Sequence, residues 1–141
     1  MLAAVLVLLV YQAAVSDSRS RPDRSGPPKG GPPVTAGARL DFVATAYCKG
    51  ETTSSGVGVQ AGIAAADPDL LPEGSVVRVD DVPEPYRGIY TVMDTGPKVQ
   101  GRHLDIYIWS CYQALDFGRR TATVTVLRLG WSPKNSARGI R

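Results

Sequence analysis

The chain of 141 residues has little of several residue types: it contains one His, two Cys, two Trp and two Phe. Because there is a single His and no cluster of ligand residues at metal-binding spacing, we expect no metal site. No phosphate-binding loop, dinucleotide fingerprint or recognition helix is present, so we also expect no cofactor. The one apolar run, at residues 1–15, is shorter than the about 20 residues that span a bilayer, which excludes a polytopic membrane protein.

Composition divides the chain into four segments. Residues 1–16 combine the apolar run with Ala14-Val15-Ser16, which is typical of a signal peptide or a short membrane anchor; a buried N-terminal helix is the alternative. Residues 17–40 hold five Pro, four Gly and five basic residues and are predicted to form an extended linker. Residues 41–131 are predicted to form one domain, and 132–141 a tail.

The charge is unevenly distributed along the chain. The net charge is +3, yet acidic residues outnumber basic ones in the predicted domain, and the excess of basic residues lies in the flanks. A nucleic-acid-binding domain would carry its positive charge on the folded unit, so no nucleic-acid partner is expected. We expect an exported monomer, either periplasmic, associated with the cell wall, or tethered to the inner or outer membrane through its N-terminus.

Segments rich in β-branched residues and bounded by turn residues predict six short strands. They are Phe42–Tyr47, Gly62–Ala66, Ser75–Val79, Ile89–Met93, His103–Ile108 and Thr121–Leu127. The helical stretch is Ser110–Phe117, with Ser110 as its cap and Gly118 as its end. Many short strands with one small helix predict an all-β fold and favour a closed barrel over a sandwich.

The two cysteines, Cys48 and Cys111, fall at the end of the first predicted strand and in the helix. In an exported chain two cysteines are expected to form a disulfide, and two reduced buried thiols are the alternative. A catalytic cysteine is not expected, because nothing in the sequence pairs either one with the single His.

Three aspartates lie in unusual surroundings. Asp67 ends the run Gly62–Ala66 and precedes a proline, and Asp94 ends an apolar strand and begins Asp94-Thr95-Gly96. Both positions also suit ordinary turn formation. Asp105 lies inside a predicted strand between Leu104 and Ile106, on one face with His103, Tyr107 and Trp109 by the alternation of strands. Burial there would raise its pKa, as a general acid requires.

A series of separated motifs runs through Phe42–Trp131. They are Thr45-Ala46-Tyr47, Ser55-Gly56, Gly62–Pro68, Leu71–Ser75, Asp94-Thr95-Gly96, Gly101-Arg102, Leu104–Tyr107, Ala114 and Phe117-Gly118. Together they resemble the 3D domain, a family named for three aspartates and found in membrane-bound lytic transglycosylases of the A type and in small bacterial cell-wall proteins. The resemblance implies a six-stranded double-psi β-barrel. After Thr-Gly the family commonly has Gly-Ala-Ile-Lys, where this chain has Pro97-Lys98-Val99-Gln100.

The resemblance also implies the site. Asp67, Asp94 and Asp105 would be the three named aspartates and the catalytic set, with Asp105 at the position of the catalytic acid. The residues expected to contact substrate are Tyr47, Thr95, Gly96, Lys98, Arg102 and Tyr107. Stacking on sugars is one role for Tyr47, Tyr107 and Trp109, and packing in the core is the other.

The implied function is a lytic transglycosylase that cleaves the MurNAc-β-1,4-GlcNAc bond of peptidoglycan without water and leaves 1,6-anhydro-muramic ends. The partner would be the glycan strand. A non-catalytic module that binds peptidoglycan is an alternative. A dimeric aspartic protease is another, because Asp-Thr-Gly after an apolar run is the half-site motif of that class, although only one copy is present.

Overall fold

A computed structural model describes residues 34–132, which form six strands and one short helix. The elements are β1 Arg39–Tyr47, β2 Ile63–Ala66, β3 Val76–Asp80, β4 Gly88–Asp94, β5 His103–Tyr107, α1 Cys111–Phe117 and β6 Arg120–Arg128. Each strand overlaps one that the sequence predicts. The predicted fold class, an all-β six-stranded barrel with one short helix, is confirmed.

The six strands close on themselves in the order β1-β5-β2-β4-β3-β6, with β6 paired back to β1. Two of the pairs, β1 with β5 and β2 with β4, are parallel, and the other four are antiparallel. Closure leaves no strand of the barrel with an unpaired edge. It also brings β1 beside β5, although the two strands are far apart along the chain.

The interior of the barrel is filled by alternate residues of the strands, as the period of a strand requires. Phe42 and Ala44 of β1 point inward, and so do Leu104 and Ile106 of β5; all four are at most 2% exposed. The alternation predicted for β6 is confirmed, because its inward residues Ala122, Val124 and Val126 are fully buried. The intervening residues of each strand therefore face outward.

Two boundaries differ from the predictions. The strand β1 begins at Arg39, and Val34, Ala38 and Leu40 pack against the core, so the barrel begins inside the segment predicted as a linker. At its other end β5 stops at Tyr107, and Trp109 lies beyond the strand with 84% of its surface exposed. The prediction that Trp109 continues the face of Asp105 is therefore wrong, because the strand pattern ends before it.

The disulfide Cys48–Cys111 joins the chain just after β1 to the first residue of α1. The predicted pairing of the two cysteines is confirmed. The predicted helix limits are confirmed as well: the Ser110 side chain accepts a hydrogen bond from the Gln113 amide, and Gly118 ends the helix with a positive φ. The bridge anchors α1 to the strand that carries Tyr47.

The signal peptide or anchor, most of the linker and nearly all of the tail lie outside the described residues. Within 34–132, no helix is long and apolar enough to cross a membrane.

Candidate active site on the outer face of the barrel

One row of residues crosses four neighbouring strands on the outer face. Thr45 of β1 is in register with Asp105 of β5, Asp105 with Ala65 of β2, and Ala65 with Asp94 of β4. Residues in register share a face of the sheet, so Thr45 and both carboxyl groups emerge on the same side. The backbones of Asp94 and Asp105 are two strands, or about 10 Å, apart. Only the small side chain of Ala65 lies between them.

A β-bulge sets the direction of Asp94. Ala64 pairs with Val92, but the next residue of β2, Ala65, pairs with Asp94, so Met93 is the extra residue of the bulge. With unbroken alternation, Asp94 would share the inward face of Val92, which is 2% exposed. Bulges of this kind often redirect a side chain beside a functional site. Here the bulge brings Asp94 to the face of Asp105.

The carboxyl group of Asp105 is partly buried and has one hydrogen-bond donor. The Thr45 hydroxyl lies 2.7 Å from Asp105 Oδ1. Burial raises the pKa of Asp105 above its ordinary value, and the negative charge of Asp94 raises it further. The Thr45 hydrogen bond and the nearby His103 act in the opposite direction. The balance favours a carboxyl group that keeps its proton to a higher pH than an exposed aspartate.

Both carboxyl oxygens of Asp94 accept hydrogen bonds. Oδ1 takes the backbone amides of Ser54 and Thr95, each at 2.9 Å, and Oδ2 takes the Tyr47 hydroxyl at 3.2 Å. The Ser55 hydroxyl donates to the carbonyl of Met93, at 2.7 Å. The bonds from Ser54 and Ser55 hold the loop that follows β1 against the end of β4, and they fix the orientation of the Asp94 carboxyl group.

The third aspartate, Asp67, is buried and bonded to backbone amides on two loops. Its Oδ1 accepts from the amide of Asp69 at 2.9 Å, which is the turn geometry that an aspartate before proline favours. Its Oδ2 accepts from the amide of Gly101 at 2.7 Å. Asp67 therefore holds the segment leading into β5 rather than presenting a free oxygen at the surface.

Replacing Asp67 by alanine is expected to lower the free energy of unfolding by about 1–3 kcal/mol, because the amides of Asp69 and Gly101 both lose their hydrogen bonds to a buried carboxylate. Urea denaturation of the two proteins measures the difference. Asp116→Ala, at an exposed position of α1, is the matched control and should change stability by less than about 0.5 kcal/mol. Equal stabilities for wild type and Asp67→Ala would contradict the anchoring role.

The tyrosines expected to contact substrate are packed against each other. The rings of Tyr47 and Tyr107 meet edge to face, with centroids 5.4 Å apart, and Tyr107 is only 5% exposed. Burial raises the pKa of the Tyr47 phenol, and the charge and hydrogen bond of Asp94 raise it further. The Tyr47 phenol therefore stays neutral and donates its hydrogen bond to Asp94, and the buried ring of Tyr107 packs against the ring of Tyr47.

The other residues expected to contact substrate lie on the loop between β4 and β5. Thr95, Lys98 and Arg102 have exposed side chains, and Gly96 accepts backbone and side-chain bonds from Val99 and Gln100. The cavity beside Asp94 has a volume of about 40 Å³, enough for water but not for a sugar. A second, more open cavity of about 380 Å³ shares the lining residues Pro68 and Glu73 with it. The described part of the chain contains no cluster of three or more His, Cys, Asp or Glu suited to a metal.

Sequence reasoning missed three contributors to this site. Thr45 belongs to the motif Thr45-Ala46-Tyr47, but its contact with Asp105 follows from the parallel register of two strands, in which the two residues lie 60 positions apart along the chain. Ser54 belongs to none of the motifs and Ser55 only to Ser55-Gly56, and nothing in the sequence shows which strand their polar loop covers. His103, which the sequence places on the face of Asp105, reaches the site through its ring, since Nε2 lies 2.8 Å from the Thr45 hydroxyl.

Residues 63–128, from β2 to the end of β6, match the model of the 3D domain family. Over these residues the barrel is similar to the 3D domain family. Its first strand, with Thr45 and Tyr47, lies before the matched residues, although it carries two groups of the site.

One curated relative is the cell wall-binding protein YocH of Bacillus subtilis (strain 168), which is 33% identical over 101 residues. The match covers 65% of this chain and 33% of YocH, so the chain spans about a third of the length of that relative. Solved structures of the lytic transglycosylase MltA of E. coli are similar to the barrel at lower identity. One crystal structure is 20% identical with a TM-score of 0.47, covering 56% of this chain and 28% of MltA. A structure with bound chitohexaose is 18% identical with a TM-score of 0.46, covering 57% and 28%.

Proposed function

We propose that the barrel acts on peptidoglycan and cleaves the MurNAc-β-1,4-GlcNAc bond without water. The relative YocH is named for binding the cell wall, which supports the choice of polymer. A disulfide is expected in an oxidising compartment, which supports an exported location. A site on the outer face, where a small cavity beside Asp94 adjoins a larger open one, suits an extended polymer better than a small molecule.

The observation that carries the proposal is the state of the three carboxyl groups. Glycoside hydrolases ordinarily use two carboxylates, one as acid and one as nucleophile or base. Here both oxygens of Asp94 and both of Asp67 accept hydrogen bonds, whereas Asp105 Oδ2 takes none from the described residues. One of the three aspartates therefore remains for chemistry.

A transglycosylase needs only one such group. Asp105 donates its proton to the glycosidic oxygen as the bond breaks, and the resulting carboxylate then accepts the proton of the muramic 6-hydroxyl as that oxygen attacks C1. The attack is intramolecular, and its high effective molarity replaces an enzyme nucleophile. Asp94 holds a negative charge nearby, which favours the protonated acid before cleavage.

Mass spectrometry of the products tests the proposal. Incubation of the full chain with purified sacculi is expected to release muropeptides with 1,6-anhydro-muramic ends, one water lighter than hydrolysis products. Muropeptides with reducing ends would show instead that a water molecule is activated. That result would require a second carboxylate to be freed from its donors, and the proposal would be wrong.

A second candidate is a module that binds peptidoglycan without cutting it, and the description of YocH as a cell wall-binding protein favours it. Co-sedimentation with sacculi, together with the absence of soluble products at any enzyme concentration, would select this function. An aspartic protease is not proposed, because the oxygens of Asp94, which would have to face a second copy, are taken by Ser54, Thr95 and Tyr47.

A further inference from the structure

The open cavity of about 380 Å³ adjoins the small cavity beside Asp94. Pro68 and Glu73 line both cavities, so the two spaces meet at these residues. Pockets that hold small organic groups have volumes of about 300–1,000 Å³, so the open cavity can take a sugar residue where the small one cannot. The residues that line the open cavity are Pro68, Pro72, Glu73, Trp131 and Ser132.

Trp131 combines an exposed side chain with a fixed backbone. Of its surface 72% is exposed, yet its backbone amide donates to the carbonyl of Glu73 at 3.1 Å. One residue earlier, the amide of Gly130 donates to the hydroxyl of the buried Ser75 at 2.8 Å. That hydroxyl in turn donates to the carbonyl of Pro72 at 2.5 Å. These bonds hold the backbone of Trp131 against the turn that precedes β3.

Gly130 makes this close approach possible. A Cβ atom at this position would collide with the carbonyl group of Glu73. Any other residue would therefore push the chain away from the turn and would move Trp131 with it. A side chain whose backbone is already held in place loses less conformational freedom when a ligand binds, and this favours affinity.

We propose that Trp131 and Glu73 form a subsite that binds one sugar of the glycan strand. This inference rests on the proposed function for the identity of the polymer. The flat indole ring packs against the apolar face of a pyranose ring, and its N–H donates to a sugar oxygen. The exposed carboxylate of Glu73 accepts a hydrogen bond from a hydroxyl or an acetamido N–H. Asp105 lines neither cavity, so the subsite lies away from the bond that is cleaved.

Binding of the full chain to a hexamer of N-acetylglucosamine tests the subsite without requiring cleavage. Trp131→Ala is expected to raise Kd about 5- to 30-fold, the loss typical of truncating an aromatic contact that dominates an interface. Tyr112→Ala is the matched control, because it removes another exposed aromatic ring that lines neither cavity, and it should leave Kd unchanged. Equal Kd values for the wild type and Trp131→Ala would overturn the proposal.

Tryptophan fluorescence locates the bound sugar. The chain contains two tryptophans, so Trp109→Phe leaves Trp131 as the single emitter and Trp131→Phe leaves Trp109. The hexamer is expected to shift the emission of Trp131 and to leave that of Trp109 unchanged. A response from Trp109 alone would overturn the proposal. A shift of Trp131 emission with protein concentration but not with sugar would also overturn it, because a second copy of the chain would then cover the ring.

Cleavage of soluble glycan strands separates this inference from the proposed function. Because the subsite lies away from the reacting bond, Trp131→Ala should raise KM about 5- to 30-fold and leave kcat unchanged. An unchanged KM, in a protein that still releases anhydro-muramic products, would overturn the subsite alone. Binding of the hexamer at Trp131, in a protein that releases no such products, would support the subsite and overturn the proposed cleavage instead.

Discussion

Replacing Asp105 by asparagine is expected to reduce the release of anhydro-muropeptides by about 10²–10⁴-fold, the range that a general acid contributes. The asparagine oxygen still accepts the Thr45 hydroxyl, which lies 2.7 Å from the native carboxyl oxygen, but the amide has no acidic proton to give. The loss should appear in kcat, because the proton is needed in the transition state rather than for binding. Quantitative mass spectrometry of digested sacculi measures it.

The same substitution should leave the barrel folded. Burial raises the pKa of Asp105 in the folded state, so ionisation of this group reduces stability as the pH rises from the pKa of the unfolded chain through that of the folded protein. Asparagine does not ionise and avoids that loss, and at neutral pH the variant should be at least as stable as the wild type. Asp116→Asn, at an exposed position, is the matched control for activity. Undiminished cleavage by Asp105→Asn would falsify the assignment of the acid.

Removing the disulfide between Cys48 and Cys111 is expected to lower the free energy of unfolding by about 4 kcal/mol in the chain-entropy view, because the bond closes a loop with a sequence separation of 63. For a domain with a single small core, this is a large share of the total stability. Urea denaturation of the wild type and of the double variant Cys48→Ser/Cys111→Ser gives the difference.

Reductant separates the effect of the bond from that of the serines. Wild type in reductant should unfold like the double variant, and the double variant should not respond to reductant at all. A double variant as stable as the oxidised wild type would show that the bridge does not constrain the unfolded chain. Cleavage should weaken before unfolding is complete, since Cys48 directly follows Tyr47, the donor to Asp94.

The strands and the partly buried setting of Asp105 could be predicted from the sequence because their signals are local. Alternation in β6 and the turn residues around each strand are visible within a few positions, and Asp105 is conspicuous between Leu104 and Ile106. The disulfide followed from the number of cysteines and the expected export. In each of these cases neighbouring residues along the chain carry the information.

The remaining parts of the site depend on strand register. Thr45 meets Asp105 only because β1 and β5 pair in parallel, and Asp94 joins them only because Met93 is accommodated in a bulge. Neither the pairing of β1 with β5 nor the bulge at Met93 can be recognised from a local pattern in a single sequence. Asp67 combines a local contact with a long-range one. Its position before a proline predicts a turn, and the structure confirms that turn. Its bond to the amide of Gly101 joins residues 34 positions apart, and no local pattern predicts it.

The inward and outward residues of β1 and β5 are subject to separate constraints. Phe42, Ala44, Leu104 and Ile106 fill the interior, while Thr45 and Asp105 lie on the other side of the same two strands. Evolution can therefore alter the outer groups without repacking the interior. A barrel that cleaves a polymer and a barrel that only binds it can differ by a single hydroxyl or carboxyl group on the outer face. Related proteins can therefore gain or lose catalysis while they keep the same fold.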